Sequence, residues 1–226
     1  MKKFLVVFTL FFVSLTVYSQ RSIGMLWADV GVKGQITKDL EYGVSFTSRT
    51  SAASNQTFFP QVTLKYKVTK WLKPSVDYRG IYDLDKYGNF LFRNRLNFNT
   101  EFKYAKKRLD LRARVRYQYS FNTLSANSGY DAEFDQAVRL KTQFQYDLKN
   151  TFFSPILSFE LFYKPGFGPD GRQLKKYRGF AGVALEIDGP HDISLGYILD
   201  QQMNSSNPLT KHILSVSYTY NIPSNN

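Results

Sequence analysis

The sequence predicts an all-β chain that closes as an up-and-down antiparallel transmembrane β-barrel of 10–12 strands. Three observations predict it. Apolar and polar residues alternate with a period of two along most of the chain, and no window competes at the helical period of 3.6. The alternating runs are about 9–14 residues long, enough to cross a bilayer at a tilt. Tight turns and longer polar connections succeed one another, the layout of a barrel with turns at one rim and loops at the other.

The elements are read in order. Lys2 and Lys3 precede an apolar run from Phe4 to Tyr18, with Val17 and Ser19 placed for cleavage before Gln20. This pattern predicts a signal peptide over residues 1–20 and leaves 21–226 as one barrel domain. The chain has no cysteine, so neither a lipidated thiol nor a disulfide is available. In the first strand Leu26, Ala28, Val30 and Val32 oppose Asp29 and Lys33. Val44 and Phe46 then oppose Thr47 and Arg49, Val62 and Leu64 oppose Gln61 and Lys65, and Val76 and Tyr78 oppose Asp77 and Arg79. The stretch Phe90–Tyr104 sets Phe92, Leu96, Phe98 and Phe102 against Arg93, Arg95, Glu101 and Lys103. After "AKK" the phase flips, and Leu111, Val115 and Tyr117 oppose Arg112, Arg114 and Arg116. Leu140 and Phe144 oppose Arg139 and Lys141, and Leu157 and Phe159 oppose Glu160 and Phe162. Three further strands are expected near 177–187, 193–202 and 211–222. Eleven runs are odd where single-chain bacterial barrels are even. A strand is therefore missed or split, or the first one lies outside the wall.

Composition supports the same reading. Aromatic residues make up 17% of the chain and mean hydropathy is −0.34. A barrel wall combines these, because lumen residues dilute the apolar ones one to one. Tyr66, Trp71, Tyr104 and Tyr146 fall by the tight turns, and Phe58, Tyr82, Tyr119 and Tyr163 by the longer connections, as two interfacial girdles require. A secreted β-sandwich also alternates, but strands of about 6 residues suffice for it. The apolar face is accordingly expected to contact outer-membrane lipid, with the protein a monomer in the bacterial outer membrane.

The polar face then lines a lumen. Net charge is +12, or +10 once Lys2 and Lys3 are removed. The excess lies on the fifth to seventh strands, where same-face neighbours are about 6.5 Å apart and repel unless acids, water or an anion intervene. Arg93, Arg95, Arg112, Arg114, Arg116, Arg139 and Lys141 are the candidate contacts for an anion. The functional expectation is a narrow anion-preferring pore or a binder of a small anionic solute. A structural lumen network of salt bridges is the alternative, and a lipid-modifying enzyme a more distant one. No cofactor, metal or nucleic-acid partner is expected, and no catalytic residue is assigned. His191 and His212 are the chain's two histidines, and the expected inward serines Ser194, Ser215 and Ser217 do not share the outward face of His212. "GFGPDG" (166–171) matches a dinucleotide fingerprint only literally, since no helix pattern follows it. Asp131, Glu133 and Asp135 offer calcium-type oxygens but read as a solvated loop.

Trp27, "KWLKPSVDYRGIY" (70–82), "FRNRLNFN" (92–99), "LRARVRYQY" (111–119) and "DLKNTFFSPILSFELFY" (147–163) together resemble a family of uncharacterised outer-membrane barrels known only as a domain of unknown function. The resemblance implies a fold and a compartment and carries no catalytic residue.

One register is specified by charge. Inward residues are odd-numbered before "AKK" and even-numbered after it, so paired numbers must sum to an odd value. A loop at Lys106–Lys107 sets Ala105 opposite Arg108, Lys103 opposite Asp110 and Glu101 opposite Arg112. Opposed charges contribute roughly 0.2–1 kcal/mol each. This register would leave Arg93, Arg95, Arg114 and Arg116 unpaired near the outer mouth.

Overall fold

A computed structural model describes residues 21–51, 56–84, 90–121, 136–166 and 172–223. The expected signal peptide and the residues Asp131, Glu133 and Asp135 lie outside them, as does "GFGPDG" apart from Gly166. Among the described residues the chain forms eleven strands: β1 (Arg21–Gln35), β2 (Leu40–Ser51), β3 (Gln56–Tyr66), β4 (Leu72–Leu84), β5 (Phe90–Lys106), β6 (Leu109–Phe121), β7 (Gln136–Tyr146), β8 (Phe153–Pro165), β9 (Arg172–Glu186), β10 (His191–Gln202) and β11 (Leu209–Asn221). Each pairs with its neighbour in sequence, and β1 pairs with β11 to close the barrel.

The odd count needs no missed or split strand, and β1 belongs to the wall. Ten of the eleven strand pairings are antiparallel, as expected, and the closing pair is the exception. With eleven up-and-down strands the first and last run the same way, so the seam is parallel, from Arg21↔Leu209 to Lys33↔Asn221. A parallel ladder is slightly weaker per residue than an antiparallel one, and here thirteen consecutive pairs carry it.

The alternation resolves into inside and outside as expected. Leu26, Val44, Leu64, Phe98, Leu157 and Leu214 are exposed on the outer surface. Arg116, Arg139, Glu160 and Asp200 are buried within. A few apolar side chains share the interior, among them Phe59, Ile81, Phe162, Ile198 and Ile213. Gly182 and Gly196 face each other across β9 and β10. A Cβ at either would strike the ring of Phe180, so bare backbone seats that ring flat against the inner wall.

The two rims differ less than the sequence suggests. The lower rim carries the connections 36–39, 67–71, 107–108, 147–152 and 187–190, and the upper rim holds the described connection 203–208 and the facing ends of the other strands. The strands continue into segments that read as loops, because an edge residue still gains a ladder hydrogen bond wherever its neighbour strand extends.

The β5–β6 hairpin keeps the predicted faces but not the predicted register. Its loop is Lys107–Arg108, with Lys106 opposite Leu109, Lys103 opposite Arg112 and Glu101 opposite Arg114. Lys107 adopts a positive φ of 55°, which a two-residue hairpin needs at its first position. Arg108, expected inward, is a turn residue. The slip of two residues costs little electrostatically because long side chains reach diagonally. Asp110 still receives Lys103 at 3.0 Å and Arg112 at 2.8 Å, while Glu101 reaches across β4 to Lys65 at 3.8 Å.

The parallel seam is open to a direct test. Ala28 and Val216 are register partners on the outer face, and the native chain has no cysteine to interfere. The double variant Ala28→Cys, Val216→Cys is expected to cross-link on mild oxidation and to run as a compact species on a denaturing gel that reductant abolishes. Pairing Ala28→Cys with Leu214→Cys, two residues away on the same face, should cross-link less efficiently.

Candidate functional site

The charged interior is layered. Its central acid is Glu160 on β8, which accepts both ends of the Arg139 guanidinium, at 3.1 and 2.9 Å. Arg114 donates to it at 2.9 Å from β6, and Arg178 on β9 stands 3.7 Å away. Arg178 also binds Asp200 on β10, whose carboxylate receives Lys176 at 3.0 Å. On the opposite wall Asp77 receives Arg116 at 3.0 Å and the Asn99 amide at 3.1 Å. Asp77, Glu160 and Asp200 are only 2%, 4% and 1% exposed. Carboxylates so placed keep their charge only where cations and donors replace water.

Two of these bridges span a strand. Arg114 passes over β7 to reach Glu160, and Arg116 passes over β5 to reach Asp77. Wall curvature draws inward side chains of second-neighbour strands together. This is why the expected set of unpaired arginines is corrected. Arg114 and Arg116 are ion-paired, and Arg93 bridges Asp83. Arg95 is the member of that set bonded to a neutral group, Ser120 Oγ at 3.0 Å. Arg112 is held low in the barrel by Asp110.

Two cavities flank this layer. The lower one, about 480 Å³, is lined by Asp29 and Glu160 as well as by Arg114, Arg116 and Lys141. The upper one, about 680 Å³, extends to residues 202–206 at the upper rim. Five arginines line it: Arg49, Arg79, Arg95, Arg139 and Arg178. Four lysines join them: Lys164, Lys175, Lys176 and Lys211. No carboxylate among the described residues lines the upper cavity. Arg79, Arg139 and Arg178 border both cavities and form the layer between them.

Aromatic faces hold several of these cations in place. Arg49 lies 3.8 Å over Trp27 and 4.6 Å from Phe59, and Arg79 lies 4.1 Å over Phe59. Phe162 carries Arg139, Lys176 and Arg178 within 4.3, 4.4 and 5.0 Å. Such contacts fix a guanidinium without neutralising it.

Of the seven sequence candidates, Arg95 and Arg139 line the upper cavity, and Arg114, Arg116, Arg139 and Lys141 line the lower one. Arg93 and Arg112 line neither. Arg49, Arg79 and Arg178 read as inward-facing in the sequence, yet they sit on other strands than the basic β5–β7 stretch that drew attention. Lys176 and Lys211 share the inward parity of Arg178 and Ser215 but likewise lie outside the basic β5–β7 stretch. The histidines stand apart from this interior. His212 faces outward with Nδ1 2.5 Å from the Tyr197 hydroxyl, and His191 Nδ1 lies 3.0 Å from the Tyr218 hydroxyl.

The profile of a family described as Protein of unknown function (DUF2490) matches residues 24–211, from early β1 into β11, and the chain belongs to that family. No curated protein and no solved structure matches it.

Glu160 is expected to dominate the stability of the interior. Glu160→Gln keeps the shape but leaves Arg114, Arg139 and Arg178 around a neutral amide. A loss of about 3–5 kcal/mol is expected, read by denaturant unfolding in detergent micelles. Asp192→Asn removes the rim pair with Lys33, whose two side chains are 57% and 52% exposed, and should cost under about 1 kcal/mol.

Proposed function

We propose that this member of the family is an outer-membrane barrel that admits and binds small anions through its basic upper lumen. The observation that carries the reading is the upper cavity, lined by nine cationic side chains with no carboxylate in its described lining. The membrane part is supported by the inverted burial of the wall. Large apolar side chains, from Leu26 on β1 to Leu214 on β11, ring the outside, a surface a soluble monomer would not expose over such an area. Tyr66, Trp71, Tyr104 and Phe152 are exposed at the lower rim, and Tyr82, Phe92 and Tyr163 toward the upper one. Rings in two bands suit two membrane interfaces.

The Glu160 layer limits how far an anion passes. Eight-stranded barrels are filled by their side chains, and sixteen or more strands leave a channel. In this eleven-stranded wall Arg79, Arg139 and Arg178 cross the interior between the cavities, so the lumen is a chamber above a salt-bridged floor more than an open pore. This favours a binder of an anionic solute over a freely conducting porin. The reading is non-enzymatic: the exposed His212 engages Tyr197, and Ser215 and Ser217 belong to the opposite face.

Two measurements test it. The mature protein should fractionate with outer membranes and require detergent for release; recovery in a detergent-free periplasmic extract contradicts the membrane reading. In planar bilayers under a potassium chloride gradient, conductance is expected to be small and anion-preferring, and Arg95→Glu with Lys211→Glu should reduce or reverse that preference. A cation-preferring native protein would overturn the proposal.

A further inference from the structure

Seven of the nine cations of the upper chamber fall into two classes. Arg139 is neutralised by Glu160, Lys176 by Asp200, and Arg178 by both. Arg49, Arg79, Arg95 and Lys211 form no ion pair among the described residues. Their contacts are the rings of Trp27 and Phe59, the Gln61 amide oxygen and Ser120. Four cations thus share one half-buried cavity with no carboxylate within ion-pair distance of them among the described residues. Like charges so confined raise one another's energy, and a mobile anion relieves this.

A second observation concerns hydrogen bonding. Trp27 Nε1 and Arg49 Nε are both buried and both lack an acceptor. They belong to one stack, in which the Arg49 guanidinium lies 3.8 Å from the Trp27 ring. Buried donors are almost always satisfied; of these two residues Arg49 lines the chamber, so an acceptor-rich ligand there meets a guanidinium whose own hydrogen bonds are incomplete. The ring faces of Trp27, Phe59 and Phe162 are engaged by cations, which disfavours a ligand bound by aromatic stacking. A stacked guanidinium still presents its N–H edge, the geometry that recognises the oxygens of phosphate or carboxylate.

We infer that the upper chamber is a binding site for a small polyvalent oxyanion, a solute carrying two or more phosphate, sulfate or carboxylate groups, held on Arg49, Arg79, Arg95 and Lys211. The inference rests on the anion reading above and names its ligand class. Four cations outside any ion pair match a ligand of two to four negative charges better than a chloride or a single carboxylate. The ligand's oxygens accept from the guanidinium edges while the Glu160 layer below stays closed, so binding does not require passage.

The chain supplies its own reporter, because it has two tryptophans. Trp27 lies in the stack, whereas Trp71 is exposed at the lower rim beside Phe102. With Trp71→Phe as background, the mature protein in detergent is titrated with tripolyphosphate, pyrophosphate and acetate at constant ionic strength, by fluorescence and by calorimetry. A saturable Trp27 response is expected, tightest for tripolyphosphate, weaker for pyrophosphate and absent for acetate. Arg95→Gln and Lys211→Gln, which leave the cations over the Trp27 ring in place, should each weaken pyrophosphate about tenfold or more. Lys33→Gln at the lower rim should leave it unchanged. Retained heat-modifiable gel mobility certifies that each variant folds. A flat calorimetric titration of folded protein with every probe, or an equal response to acetate, overturns the inference. If the bilayer still prefers anions, that result removes the polyvalent site alone; cation preference removes the anion reading itself.

Discussion

The parallel seam between β1 and β11 is the constraint on which the rest of the structure depends. A twisted sheet left open exposes a row of unpaired N–H and C=O groups at each edge, and in a hydrocarbon environment no water would satisfy them. Closure removes both edges, and an odd number of up-and-down strands can close only by placing its ends side by side in the same direction. The thirteen pairs of the seam turn a ribbon with one apolar and one charged face into a cylinder with a defined outside and inside. Without that closure, the alternation of residues such as Leu26 and Trp27 has no fixed meaning.

Closure also decides the electrostatics. On a flat sheet a charged side chain meets its direct partner and its diagonals. On the concave face of a narrow barrel it also meets second-neighbour strands, as Arg114 meets Glu160, Arg116 meets Asp77 and Lys65 meets Glu101. Curvature concentrates charge: Glu160 gathers Arg114, Arg139 and Arg178 from three strands, Asp200 holds Lys176 and Arg178 from β9, and Asp77 holds Arg116 together with the Asn99 amide. Removal from water makes these networks strong only while every member is present, which ties the strands bearing them into one unit.

The same crowding separates cations that are restrained from cations that are merely positioned. Arg139 and Arg178 are restrained by carboxylates and make up the floor between the two cavities. Arg49 and Arg79 are positioned by Trp27 and Phe59, which orient a guanidinium but leave its charge in the field of the chamber. Phe59 and Phe162 interrupt polar inward faces, and this is their use: an aromatic ring among arginines holds them apart without neutralising them. The lumen thus has a carboxylate-bearing middle and an upper part whose described lining is cationic and free of carboxylates.

By itself the sequence determined the fold class, the strand identities and the facing of nearly every side chain, because a period of two is a local property that any strand obeys. Arg95 and Arg139 were legible as lumen cations on that ground alone, and the odd strand count was visible as a puzzle. Only the tertiary structure decided how the wall closes, which charges meet and where the chamber lies. Those depend on curvature and on partners as distant as Arg114 and Glu160, or Trp27 and Arg178, which no periodicity encodes. The β5–β6 register shows the boundary between the two. Its parity followed from the faces, but its offset followed from the turn geometry at Lys107 and from diagonal contacts, which a count of directly opposed charges leaves out.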